Sequence, residues 1–146
     1  RGLPHRCELI GEVNGVRFID DSKGTNIGAT LAALEGLAGA GQIWLIIGGQ
    51  GKGQDFSQLK PVLARINVRL LVMGEATAEI CAHLGQEALI DVMSSLEDAV
   101  DLSAASAQPG DIVLLSPACA SFDMFSSYVE RGERFQAAVA ALEVAA

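Results

Sequence analysis

Apolar residues come in short runs along the chain, and most runs end at a polar or glycine-rich junction. The stretch "CELIGEVNGVRFID" holds two strand-like runs around Asn14-Gly15. Asn-Gly suits the two positive-φ positions of a type I′ turn, so the pattern predicts a hairpin. From Asn26 to Leu37 apolar and small residues recur at helical spacing, and Gly36 and Gly39 stop the run. "QIWLII" then reads as a buried strand running into the glycine-rich "GGQGKGQD". A short helix is expected over Phe56–Leu63, a strand over Val68–Met73, and a helix in "EATAEICAHLG". Ala88–Asp91 reads as a short strand. Ser94 and Glu97 stand in capping-box register and open the next helix. "DIVLLS" is the last strand, and Tyr128–Ala145 the last helix.

A hairpin followed by four rounds of strand and helix predicts an α/β fold of Rossmann-like, three-layer form. Six strands are expected, mostly parallel, with one antiparallel strand from the N-terminal hairpin and helices on both faces. No linker, internal repeat or low-complexity segment divides residues 1–146, so one domain is expected. In such sheets ligands bind beyond the carboxyl ends of the strands. The polar clusters "DDSKGTN", "GGQGKGQD" and "SPACASFDMF" all fall at such ends.

Charge narrows the partners. Ten Lys and Arg against eighteen Asp and Glu give a net charge of −8, which argues against nucleic acid. No apolar run approaches the roughly 20 residues of a membrane span. No basic-then-apolar leader opens the chain, which points to the cytoplasm. The abrupt entry into strand pattern is what a piece of something longer would show. Three cysteines without CxxC spacing are expected to be reduced and buried. His5 and His83 lie far apart, so no metal site built from protein side chains is expected.

The candidate chemistry gathers at the three junctions. In "DDSKGTN", Thr25 or Asn26 caps a helix whose N-terminus favours an anion, and Lys23 adds a full charge. The same residues also read as a plain capped turn in which Lys23 pairs with Asp21. "GGQGKGQD" can form an anion-binding nest around Lys52, or be a surface loop. It is not a Walker A loop, because Gly53 follows the lysine. In the third junction G-x-S-x-G is absent, so Ser121 and its neighbours suit carboxylate binding better than nucleophilic catalysis. Arg131 and Arg134 read as surface or cap charges. If hairpin partners sum to about 29, Arg6 falls near Lys23 at the end of the sheet that carries Asp21.

"LPHRCE", "FIDDSKGTN", "LIIGGQGKGQDF" and "VLLSPACASFDMFSSYVERGERF" together resemble the carboxy-terminal domain of the Mur ligases, and D-S-K-x-T-N resembles their D-glutamate-adding branch. The resemblance covers essentially the whole chain. It implies an ATP-dependent ligase that joins D-glutamate to UDP-N-acetylmuramoyl-L-alanine through an acyl-phosphate, in cytoplasmic peptidoglycan synthesis. It implies that Arg6 and Asp21 contact the nucleotide and that Lys23 serves at the reacting centre. Thr25, Lys52, Ser121 and Phe122 would hold D-glutamate. Tyr128 joins that set, standing where phenylalanine is common, and Gly24 stands where alanine is common. The family's P-loop, carbamylated lysine, magnesium ligands and UDP-binding domain have no counterpart here. ATP and Mg²⁺ would therefore be held mainly by two preceding domains, and this chain alone is expected to be an inactive monomer. The reading from another class is a freestanding Rossmann-like module for a small anion or nucleotide.

Overall fold

The computed structural model describes residues 4–39 and 41–146, so Leu3 of the first motif lies outside them. Strands β1 (Glu8–Val13) and β2 (Val16–Asp20) form the hairpin, followed by helix α1 (Ile27–Gly36) and strand β3 (Ile43–Gly48). A 3₁₀ turn (Phe56–Leu59) runs into α2 (Lys60–Arg65). Then come β4 (Val68–Met73), α3 (Thr77–Leu84), β5 (Ile90–Val92), α4 (Leu96–Ser106), β6 (Ile112–Leu115) and α5 (Tyr128–Ala145). The six strands lie in the order β1-β2-β6-β3-β4-β5, with β1 antiparallel to β2 and every other pairing parallel.

Burial follows the strand period of two. Along β3, Ile43, Leu45 and Ile47 pack into one core with α1, the 3₁₀ turn, α2 and α3. Trp44 and Ile46 enter a second core with α4 and α5. This double burial is why β3 reads as an unbroken apolar run. The Trp44 indole still needs an acceptor, and its Nε1 donates to Asp111 at 3.2 Å.

Local chemistry refines several boundaries. Pairing sums to 29 from Val13↔Val16 to Gly11↔Phe18, then a bulge between Leu9 and Gly11 shifts it to Leu9↔Ile19 and Glu8↔Asp20. The expected single helix at Phe56 is a 3₁₀ turn that restarts as α2, with Pro61 in the first turn of α2. The predicted capping box is displaced by one residue. Ser95 is the cap and accepts from Asp98 N at 3.0 Å, while Ser94 bonds the Asp98 carboxylate. Of Thr25 and Asn26, Asn26 is the cap, accepting from Ala29 N at 2.9 Å.

The topology sets the site. Connections after β2, β3 and β4 pack on the first face, whereas those after β5 and β6 pack on the second. Strand β6 lies between β2 and β3, so the chain leaves its carboxyl end in the opposite direction from both neighbours. Crevices open at such switch points.

Candidate functional site

The three polar junctions meet at the carboxyl ends of β2, β6 and β3, and particular side chains bind them together. Gln54 is central: its Oε1 accepts from Ile27 N at 2.8 Å, at the start of α1. Its Nε2 donates to Gly51 O at 3.1 Å and to Ala118 O at 2.7 Å, so one amide touches all three junctions. Ala118 N also donates to Gly24 O at 2.9 Å, and Gln50 and Ala120 exchange backbone bonds at 2.9 and 3.1 Å.

Glycine is required at two of these crossings. Gly48 and Gly49 have φ of 134° and 133°. A Cβ on the first would overlap the Met73 carbonyl oxygen, and on the second the Ala120 carbonyl oxygen. These two glycines therefore serve close packing between strand ends. Gly48 N and Gln50 N donate to Pro117 O and Ala120 O, which removes them from the anion nest expected from sequence. The exposed tip remains, with Lys52 itself at a positive φ of 53°.

Arg6, Asp21, Lys23, Thr25 and Tyr128 line a common cavity of about 620 Å³, walled on one side by small residues of α1. Asp21 is buried: Ser116 Oγ donates to its Oδ2 at 2.7 Å and Cys7 N to its Oδ1 at 3.1 Å. Burial raises the Asp21 pKa above the usual carboxylate range, against the opposing pull of those two hydrogen bonds. Lys23 does not pair with Asp21. It is exposed, and its Nζ lies 5.9 Å from the centre of the Tyr128 ring. Lys52, Ser121 and Phe122 stand outside the lining of this cavity, on the other two junctions. Ser121 is almost buried at 2% exposure, whereas Phe122 is 67% exposed.

Three residues depart from expectation. Arg131 is not a surface charge. It is wholly buried and donates to Ser22 and Cys119, while Arg134 pairs with Glu97 at the surface as expected. Cys7 is exposed rather than buried, although partial burial and the Asp21 carboxylate push its thiol pKa up to about 11. All three cysteines are free, and Cys119 is buried. His5, remote from His83 in sequence, meets residues that sequence reasoning did not connect to it. Its Nδ1 lies 2.6 Å from Asp20 Oδ2, and Gln136 Nε2 donates to the same oxygen at 2.8 Å. His5, Glu8 and Asp20 place one ligand atom each within 4.8 Å of one another. Within that group the His5 ring bonds Asp20 Oδ2 and the His5 backbone N–H donates to Glu8 Oε1.

The profile of the "Mur ligase, glutamate ligase domain" matches residues 5–119. A UDP-N-acetylmuramoylalanine--D-glutamate ligase from Acinetobacter baylyi is 49% identical over 97% of this chain and 33% of its own length. One of the same name from Chromobacterium violaceum is 51% identical over 99% of this chain and 32% of its own. The chain thus spans about a third of these relatives. Among solved structures, a MurF ligase from Thermotoga maritima in complex with ADP matches all of this chain and 33% of its own, with TM-score 0.60 and 21% identity. The E. coli FolC structure in complex with ADP matches 97% of this chain and 33% of its own, with TM-score 0.67 and 19% identity. At those identities the two structures speak to the fold, whereas the profile covers most of the sequence. The chain belongs to the Mur ligase family and matches its glutamate ligase domain.

Proposed function

We propose that the chain is the D-glutamate-binding domain of a three-domain, ATP-dependent ligase. The whole enzyme joins D-glutamate to UDP-N-acetylmuramoyl-L-alanine through an acyl-phosphate, in the cytoplasm, for peptidoglycan synthesis. One observation carries this reading: relatives about half identical over nearly the whole chain bear the name of that ligase. The geometry supports it, since Arg6, Asp21, Lys23, Thr25 and Tyr128 line one cavity, and Gln54 joins the junctions that carry Lys52 and Ser121 to the same sheet edge.

In this reading Arg6 and Asp21 meet the nucleotide, and Lys23 faces the reacting groups. The cavity they line, with two cations at its rim, fits such an anion. Lys52 and the Thr25 hydroxyl receive the α-carboxylate of D-glutamate. Ser121 and the backbone N–H of Phe122 receive its side-chain carboxylate, and Tyr128 meets D-glutamate through its backbone. The amine stays free toward Lys23. Magnesium fits this chain poorly: among the described residues the one cluster of ligand type, His5, Glu8 and Asp20, includes an imidazole, whereas Mg²⁺ prefers an all-oxygen set. That ion and the triphosphate grip belong to the remaining two thirds of the enzyme.

The test is steady-state kinetics on the full-length enzyme. Losing a charge-assisted hydrogen bond costs about 1.5–3 kcal/mol, roughly 10- to 150-fold in affinity. Lys52→Ala should raise the KM for D-glutamate by that factor and the KM for ATP much less. Lys52→Arg should restore it only in part, because a planar fork replaces a point charge. Lys23→Ala should lower kcat more than it raises the KM for D-glutamate. Unchanged constants in Lys52→Ala would make that residue an ordinary loop lysine and overturn the reading.

A further inference from the structure

Arg131 stands in the first turn of α5, wholly buried. Its Nε donates to Ser22 Oγ at 2.9 Å, one terminal nitrogen to Ser22 O at 2.6 Å, and the other to Cys119 O at 3.0 Å. The Ser22 hydroxyl donates in turn to Tyr128 O at 2.6 Å, so the first turn of α5 grips Ser22 twice. Ser22 directly precedes Lys23, and Cys119 stands two residues before Ser121. One rigid fork therefore holds the junction of the proposed reacting lysine and the junction of the proposed carboxylate site.

Stability alone gives a poor account of this arginine. No carboxylate lies within ion-pair distance of it among the described residues, and Asp20 and Asp123 act on it only from afar. Burial pushes its pKa down to about 10, which leaves it charged at neutral pH. An unpaired buried charge is costly, and a cation at a helix N-terminus opposes the helix dipole. A neutral side chain would avoid both costs, but none offers donors in a fixed fork aimed at two loops.

We infer that Arg131 is a positioning residue for the ligase reaction, fixing the Lys23 junction and the Ser121 junction in one register through Ser22 and Cys119. The inference rests on the proposed roles of Lys23 and Ser121. The fork fixes where the lysine stands relative to the bound amino acid, so disturbing it moves both sides of the reaction together.

The experiment uses the full-length enzyme. Arg131→Lys keeps a charge but cannot span both junctions. It should lower kcat and raise the KM for D-glutamate together, each by about 10-fold or more. Ser22→Ala removes only the hydroxyl link and should move both constants in the same direction by less; it carries the test if Arg131→Lys does not fold. In a Lys23→Ala background, Arg131→Lys should change kcat by no more than about twofold further, since its effect on kcat runs through that lysine, while the rise in the KM for D-glutamate persists through the Ser121 junction. Folded variants with a lower Tm but unchanged kcat and KM would overturn the inference, and so would full multiplicative loss of kcat in the Lys23→Ala background. Lys52→Ala separates the two levels. If it leaves the KM for D-glutamate unchanged, the functional reading fails. If it raises that KM while Arg131→Lys and Ser22→Ala change neither constant, only the role of Arg131 fails.

Discussion

Asp21 shows how one residue can be both fastened and available. Its two oxygens accept from Ser116 and Cys7, which fixes its orientation, and the residue still lines the cavity. Burial nevertheless makes the charged form harder to keep, and the pKa rises. The sign of the consequence follows from proton counting. With a raised pKa, the folded state binds more protons than the unfolded state just above the ordinary carboxylate range. Stability from this group is then full below that range and is lost as pH rises through the folded value. Asp21→Asn removes the titration. The unfolding free energy of the variant minus that of the parent should therefore grow as pH rises from about 4 to neutral. Urea unfolding at a series of pH values measures it, and a flat or falling difference would contradict the argument.

At the scale of elements, the junctions are held by side-chain amides and hydroxyls as much as by backbone. Gln54→Ala would leave Ile27 N–H and Ala118 O without their side-chain partner. Orphaned polar groups of this kind cost about 1–3 kcal/mol each when water cannot reach them. The half-buried setting puts the expected loss near about 1–3 kcal/mol in total, read as a lower urea midpoint at unchanged slope. The sequence disclosed the elements themselves, because strand and helix periods are local. The run Ile43–Ile47 is buried on both faces, and Asn14-Gly15 turns as its chemistry requires. The hubs were not legible. Gln54 reads as one more polar loop residue, since its partners lie 27 and 64 positions away. Arg131 reads as a surface charge on a helix because Ser22, its main partner, is 109 residues distant. The bulge near Leu9 left no turn signal, and the Ser95 cap had an equally plausible neighbour in Ser94. Of the candidate site, hairpin register brought Arg6 to the Asp21–Thr25 junction, and all of Arg6, Asp21, Lys23 and Thr25 line the cavity, but nothing hinted that His5 would join Asp20.

At the scale of the whole molecule, an acidic chain is read as a binder of anions, and the distribution of its cations makes the two compatible. Arg65, Arg69 and Arg134, away from the site, pair with Glu35, Asp91 and Glu97. Arg6, Lys23 and Lys52 make no ion pair among the described residues. Distant acids are screened beyond about 8 Å at physiological salt. A cation about 4 Å from a carboxylate, at an effective dielectric near 20, is worth on the order of 4 kcal/mol. Local cations therefore decide what binds. Binding is still not turnover. Phosphoryl transfer needs a grip on the β- and γ-phosphates together with a metal ion. Gly53 follows Lys52 where a Walker A loop needs Ser or Thr, and the His5, Glu8 and Asp20 cluster includes an imidazole where Mg²⁺ prefers oxygen. The 146-residue chain by itself should thus release no phosphate above a protein-free blank when given ATP, Mg²⁺, D-glutamate and the muramoyl substrate. Amide chemical shifts in an ATP titration should move near Arg6 and Asp21–Lys23 only, and weakly. Tight binding that depends on Mg²⁺ would place a triphosphate grip within this chain and favour a freestanding nucleotide module over one domain of a ligase.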